Sequence, residues 1–325
     1  MGKSKKYWKI FIWIWFIFAL IVVNCKEPKA EFIKIGANSW PGYAPLYIAA
    51  NKKYFDRTKV MLEEYSNTSE VMQAFRDGKI NAAALTLDET LLLSQDIPNL
   101  KIVLMLDLSH GGDAIVAKSS IHTVRDLKGK QVGVENNALG SFFLTRALEI
   151  HGMRTSDIVI VNIGIDKHLK EFYSNGISAV VTFEPVLTQL ASQHTNIIFD
   201  SSGIPGEIVD VLAIKVDPGT NFDGLIHHLL VGWFKAVDYL KSSPKKSANI
   251  MATRQKITPD QFTKSLSGLR IPDYEENCRF ILGDSPILFL TGRKLSRIMI
   301  ENGLLKQPVN LRNLIYDKPL RHFEK

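Results

Sequence analysis

The sequence predicts an α/β protein with largely parallel sheets and a helical C-terminal segment, on three observations. Short β-rich runs alternate with helically spaced segments over two thirds of the chain, the strands then stop past Asp217, and two longer strand-like runs bracket a self-contained α/β block. The β-rich runs are residues 32–35, 60–62, 82–85, 101–104, 131–134, 158–161 and 179–182. Between them, apolar residues fall three and four apart, as over 142–150 and 186–191, which gathers them on one helix face. Alternation of this kind builds parallel sheets, because each crossover helix covers a sheet face. Past Asp217, residues 225–240, 259–266 and 287–299 read as helices, with Ser243 and Pro244 ending the first. The bracketing runs are 113–118 and 208–215, and a chain passing between two lobes and back needs two such segments; the hinge is expected there.

The N-terminus reads as an export signal over 1–24. Lys3, Lys5, Lys6 and Lys9 precede an uninterrupted apolar run of 14 residues, 10–23, and then Cys25 and the charged Lys26 and Glu27. That run is shorter than the roughly 20 residues a spanning helix needs. Val22, Val23, Asn24 and Cys25 resemble a bacterial lipobox, with Asn24 where a small residue is usual; the resemblance implies lipid attachment at Cys25. An uncleaved anchor is the alternative, and both tether the protein outside the cytoplasm. Removing the signal takes four lysines and no acids, so the formal charge falls from +7 to +3. The remaining charges are mixed, without the basic blocks and interleaved aromatics of a nucleic-acid groove, so no nucleic-acid partner is expected. Only Cys278 remains after Cys25, so no disulfide within the mature chain is available and stability must come from a core. About 300 mature residues suffice for two domains, each burying one.

The turn after the first strand, 38–46, combines Trp40 and Tyr43 with Pro41, Gly42 and Pro45. Ligands of open α/β sheets bind at the carboxyl ends of strands, and prolines stiffen a turn so that aromatic faces stay fixed. Trp40 reads equally as core beneath the loop; Tyr43 is the better contact candidate. Gly36, Trp40, Gly42, Pro45, Ala49, Tyr54, Phe55 and Asp56 resemble the start of the solute-binding proteins of nitrate, sulfonate, taurine and thiamine-pyrimidine ABC importers. Segments 73–89, 111–116, 126–134, 183–185, 208–212 and 233–236 match the same family in order, over about 200 residues. The resemblance implies a type II periplasmic-binding-protein fold, two α/β lobes joined by two crossover strands. The lobes are expected as 25–118 and 213–325 for the first and 119–212 for the second, with the helical tail belonging to the first.

Four acids stand at predicted strand ends: Asp88, Asp113, Glu184 and Asp210. The resemblance puts Asp88 and Asp113 on the first lobe, Glu184 on the second and Asp210 at the hinge. Carboxylates crowded around a desolvated solute repel one another unless the solute supplies charge or donors, so an amine, amidine or aminopyrimidine fits better than nitrate or sulfonate. Their structural alternatives are a helix N-cap for Asp88, a first-turn acid for Glu184, a hinge salt bridge for Asp210 and a loop contact for Asp113. The family also places ligand contacts in the turn 135–141, which nominates Asn137 and Ser141, the latter alternatively a cap. No P-loop, Gly-x-Ser-x-Gly elbow or converging histidines are present, and no catalytic residue, metal or cofactor is expected. The reading is a monomeric, membrane-tethered receptor that delivers a small nitrogen-containing solute to an ABC permease. Its alternatives are a sensory subunit docking a membrane sensor, a sulfonate or nitrate binder, and an enzyme of the pyrimidine-synthesis type.

Overall fold

Strand β1 (Ile33–Ala37) opens the described part of the chain, which in this computed structural model is residues 32–174, 176–191, 194–216 and 222–323. Cys25 and the expected signal lie outside those residues. Two sheets form. The first has the order β11, β4, β10, β3, β1, β2, from β2 (Val60–Glu64), β3 (Ala82–Thr86), β4 (Leu100–Ser109), β10 (Val209–Lys215) and β11 (Leu269–Arg270). The second has the order β7, β6, β8, β5, β9, from β5 (Asp113–Lys118), β6 (Gln131–Val134), β7 (Val159–Asn162), β8 (Ile177–Phe183) and β9 (Thr195–Asp200). All seven short runs expected as strands are strands. In each sheet one long strand runs against its neighbours: β10 is antiparallel to β3 and β4, and β5 to β8 and β9, while β1 with β2 and β3, and β6 with β7 and β8, are parallel.

Both expected crossover strands exist, but each belongs to the sheet the chain is entering, and this moves the expected boundaries at 118 and 212. Asp113–Lys118 is hydrogen-bonded throughout to β8 and β9 of the second sheet, so the chain has already crossed at 110–112. Val209–Lys215 pairs with β3 and β4 of the first, so the return is over 201–208. The two passages are tied together: the Ser109 and Ser201 hydroxyls are 2.8 Å apart, and Gly111 N–H donates to Ser201 Oγ at 2.6 Å. Gly111 has φ of +108°, a conformation that favours glycine. Asp113 therefore stands on the second sheet rather than the first.

The helices follow their sequence signals. α1 (Ala44–Asn51), α2 (Thr68–Arg76) and α3 (Leu87–Ser94) connect the first strands; Asn67 caps α2 through Glu70 N–H, and Thr86 with Glu89 forms a capping box on α3. In the second layer lie α4 (Ala138–Ile150), α5 (His168–Tyr173) and α6 (Val186–Ala191). The tail then supplies α7 (Phe222–Ser242), α8 (Pro244–Gln255), α9 (Pro259–Leu266), α10 (Tyr274–Ile281) and α11 (Ile287–Glu301), followed by α12 (Leu311–Leu314) and α13 (Lys318–Arg321). α7 packs against α1 and buries Trp233 and Phe234, and Gly232 lets Phe55 approach closely, since a Cβ there would come within 2.4 Å of the ring.

The tail is not purely helical, because it has an edge to cover. β11 pairs with only Ser109 and Leu108 of β4, and an uncovered edge would leave backbone groups without partners. Farther along, the fully buried Asn277 of α10 accepts Met105 N–H at 2.9 Å, and Tyr316 N–H donates to Ile102 O at 2.8 Å. A side chain thus substitutes for the missing strand. Asn277→Leu should lower unfolding stability by about 1–3 kcal/mol with an unchanged urea m-value, because it strands a buried N–H; unchanged stability would mean that the edge does not depend on this bond.

Candidate functional site

Strand ends from both sheets converge on one enclosed cavity. It is lined by Asn38, Trp40, Tyr43, Thr68, Thr86 and Glu89 from the first layer, by Asp113, Leu139 and Phe183 from the second, and by Ile208 and Asp210 from the return passage and strand. The space left open is about 10 Å³, room for roughly one water. Trp40, Tyr43, Asp113 and Asp210, four of the eight residues expected as ligand contacts, meet there.

Local chemistry fixes the aromatic wall. Asn38 Oδ1 accepts Trp40 N–H at 2.9 Å and its amide donates to Thr68 Oγ1 at 2.9 Å, which pins the loop after β1 to the start of α2. Pro41, Gly42 and Tyr43 form a 3-10 turn leading directly into α1. The Trp40 indole donates to Asp107 Oδ2 at 3.0 Å and meets Phe183 of the second sheet edge-on, with ring centroids 5.7 Å apart. Gly42 makes this possible, since a Cβ there would fall 1.9 Å from Asp107 Oδ2. The Tyr43 hydroxyl donates to Asp210 Oδ1 at 2.5 Å. Trp40 is both of the things its sequence context allowed, 4% exposed and part of the cavity wall.

The acids are the dominant feature. Asp88, Glu89, Asp107, Asp113, Glu135, Glu184 and Asp210 are all buried. Glu207 is buried too, but it pairs with Arg146 and Lys294; none of the seven has an ion pair among the described residues. The sheet register sharpens the conflict. Asp210 lies opposite Asp107, on the same face of adjacent strands, where like charges oppose one another directly. Burial, the largest cause throughout, pushes Asp88 up to about 6, Asp113 up to about 7 and Asp107 up to about 8. Hydrogen bonds from Thr86, Ser109 and Trp40 respectively hold these three back. Burial also raises Glu89, with Asp88 adding to it, and raises Asp210, with Asp107 adding to it. Glu135 and Glu184 are raised by burial as well, and Tyr43 is raised by burial and then by Asp210.

The remaining expected contacts are placed elsewhere. Asp88 is in the first turn of α3, behind the wall; the N-cap is Thr86, not Asp88. Glu184 accepts Thr188 N–H at 3.0 Å and the Thr188 hydroxyl at 2.8 Å, which commits it to the start of α6, while its neighbour Phe183 reaches the cavity. Asn137 caps α4 by accepting Gly140 N–H at 2.7 Å, and Leu139 lines the cavity instead. Ser141 lines a separate groove of about 810 Å³ with Asn136, Arg154 and Asn162. Sequence reasoning passed over Asn38, Glu89, Asp107 and Phe183. Asp107 carried the signal that nominated Asp210, a charge inside an apolar strand run. Glu89 was masked by its role in the capping box, which uses only one of its oxygens: Oε2 accepts Thr86 N–H at 3.1 Å.

Contacts outside the cavity hold the two layers together. Ser69 on α2 donates to Glu135 Oε1 through its hydroxyl at 3.1 Å, and Glu207 receives Arg146 from α4 and Lys294 from α11 at 2.9 and 3.0 Å. His110 N–H donates to Gly268 O at 2.8 Å, and Gly268 lies so near the passage that a Cβ on it would come within 2.8 Å of Gly112 N, while one on Gly112 would come within 2.8 Å of the Leu269 and Trp40 side chains.

The family model described as NMT1/THI5 like matches residues 40–214, which contain nearly all of this wall. The chain belongs to the NMT1/THI5-like family. Its fold is that of periplasmic binding proteins. Over 90% of this NMT1/THI5-like chain and 100% of the other, it is similar at 14% identity and a TM-score of 0.73 to the alkanesulfonate-binding protein SsuA from Xanthomonas axonopodis pv. citri bound to MOPS. The zinc-bound ligand-binding component of an ABC-type import system from Staphylococcus aureus gives 15% identity and a TM-score of 0.74, over 90% of this chain and 99% of that one. The periplasmic nitrate-binding protein NrtA from Synechocystis PCC 6803 gives 12% and 0.72, over 90% and 88%. Among curated proteins, none matches. Among the described residues no group of three or more His, Cys, Asp and Glu is arranged to hold a metal ion, and no helix is long and apolar enough to cross a membrane.

The acid cluster sets a pH dependence for this NMT1/THI5-like fold. A carboxyl whose value is raised on folding binds its proton more tightly in the native state, so its contribution is complete below the unfolded value of about 4 and is lost as pH rises through the folded value. For Asp88, Asp113 and Asp107 the loss begins above about 4 and is complete by about 6, about 7 and about 8 respectively. The solute-free protein should therefore melt several degrees higher at pH 5 than at pH 8.5, and Asp107→Asn should flatten that difference by raising the pH 8.5 midpoint. Calorimetry across this range checks it; a midpoint that rises with pH would contradict the assignment.

Proposed function

We propose that the protein is an extracytoplasmic solute receptor, tethered to a bacterial membrane through Cys25, that captures a small nitrogen-containing organic solute and delivers it to an ABC permease. The observation that carries this reading is a cavity walled by both layers, with Glu89, Asp113 and Asp210 in its lining and no Lys, Arg or His among the lining residues. A solute touching both layers favours their closed arrangement over an open one in proportion to its extra affinity for it. The lobes of the receptor are, on this reading, the layers of the two sheets, with the tail on the first. An amine or pyrimidine-like solute supplies the N–H donors that buried carboxylates lack; nitrate and sulfonates supply only acceptors and negative charge. SsuA and NrtA show that this fold serves anions in other hands, so the difference lies in the lining. The protein works as a monomer and as a binder rather than a catalyst.

Thermal-shift measurements against amines, aminopyrimidines, taurine and nitrate test this. At a hundredfold excess over Kd, binding to the folded state alone adds about 2.7 kcal/mol, which reads as a rise of several degrees for a chain of this size. Amines or aminopyrimidines should give that rise and the anions none, and the responsive solute should also be found by mass spectrometry in protein purified from its host. A rise with taurine or nitrate alone would overturn the nitrogen-solute reading. Intact-mass analysis of the membrane-extracted protein should show a lipid-modified N-terminus at Cys25; an unmodified Met1 terminus would contradict attachment through Cys25.

A further inference from the structure

We propose that the solute is an organic dication of the diamine type, one cationic nitrogen meeting Asp113 on the second sheet and the other meeting Asp210 and Glu89 on the first. This rests on the cavity being the solute site. Glu89 Oε1, Asp113 Oδ2 and Asp210 Oδ2 have no hydrogen-bond partner among the described residues, their side chains are 1%, 3% and 2% exposed, and all three residues line the same cavity. Buried acceptors left open in this way cost stability until a donor reaches them.

The donors of the lining are few, neutral and mostly engaged. The Trp40 indole is used on Asp107, the Tyr43 hydroxyl on the other oxygen of Asp210, and the Asn38 amide on Thr68. The remaining hydroxyls in the lining are Thr86, which acts on Asp88, and Thr68, which accepts from Asn38. The charged groups packed around the three acids are Asp88, Asp107, Glu135 and Glu184, all acidic, and the cation acting on this set is Lys264, an exposed residue of α9 near Glu184. The site therefore offers acceptors and negative charge from both layers, and complementarity requires a ligand made of donors and positive charge.

Two heads follow from where the acceptors stand. Asp113 begins β5 on the second sheet, whereas Asp210 is on β10 and Glu89 on α3, both in the first layer. A single ammonium is a compact point charge that serves one side of such a cleft. A ligand with a cationic nitrogen at each end answers both sides, and only a ligand bridging both sides favours closure. Between the acids the wall is apolar, from Trp40, Tyr43, Leu139, Phe183 and Ile208, and the open space of about 10 Å³ must widen by separation of the layers before a short hydrocarbon linker fits between them.

Isothermal titration of the purified full chain at pH 7.5 with 1,4-diaminobutane, butylamine, 4-aminopyrimidine, taurine and nitrate tests the proposal. The diamine should bind at least a hundredfold more tightly than butylamine. Asp113→Asn and Glu89→Gln should each weaken the diamine at least tenfold while reducing its advantage over butylamine. Both variants keep the shape of the side chain, and a melting midpoint at pH 5 within a few degrees of the parent confirms that they fold. Butylamine or 4-aminopyrimidine binding as tightly as the diamine would overturn the dication while leaving the solute-receptor reading intact. Binding of taurine or nitrate, undiminished in Asp113→Asn, would overturn the dication and the nitrogen-solute reading together. Binding of no compound would overturn both this inference and the use of the cavity as a solute site.

Discussion

Carboxylates buried without bases are the constraint on which the rest of this structure depends. An isolated buried carboxylate is costly enough that proteins pair it, neutralise it or position it for a ligand. Seven are buried here, three of them line one cleft, and two, Asp107 and Asp210, face each other across adjacent strands. Neutralisation is the protein's own solution, and it explains why burial moves Asp113 and Asp107 into and above the neutral range. A cation entering the cleft is the alternative to those protons.

The fold supports this arrangement through rigid, fully bonded surroundings. Asp113 is held by β5 between two partner strands, Asp210 by β10 between two more, and Glu89 by its capping box. Because each crossover strand belongs to the sheet it enters, an acid at the start of β5 and an acid near the start of β10 end up on opposite sheets yet beside the same passages. Glycines are spent where atoms crowd: Gly42 under the Trp40–Asp107 bond, and Gly112 against Gly268. The fasteners that close the two layers outside the cavity, Ser69 with Glu135 and Glu207 with Arg146 and Lys294, use charges and hydroxyls of ordinary strength.

The sequence made the strands legible because buried parallel strands are short runs of apolar residues, and β3 (Ala82–Thr86) is buried at every position. β9 was missed for the opposite reason: it is half-exposed and polar at both ends, with Thr195, Asn196 and Asp200. β11 is two residues long and exists only because β4 needs an edge partner, a requirement that no local pattern announces. The expected lobe boundaries fall at the end of one crossover strand, 118, and inside the other, 212, because sequence shows a strand but not its partners. At the site, aromatic and proline signals found Trp40 and Tyr43, and a charge inside an apolar run found Asp210. The acids at helix starts were harder to judge: Glu184 is occupied by Thr188, whereas Glu89 leaves one oxygen open, and only coordinates distinguish those outcomes.

Solved structures of this fold that are named for binding sulfonates or nitrate are 11–16% identical to this chain, which presents acids to the cleft. The central claim is that positive charge on the solute takes the place of protons on these acids. Counting protons tests it most directly: titrate the solute at pH 7 in buffers of different ionisation enthalpy, and read the number of protons exchanged from the slope of the apparent binding enthalpy. The account predicts net release of protons to the buffer, and fewer released when Asp113 is replaced by asparagine or Glu89 by glutamine. Proton uptake, or no exchange at all in the parent protein, would contradict it.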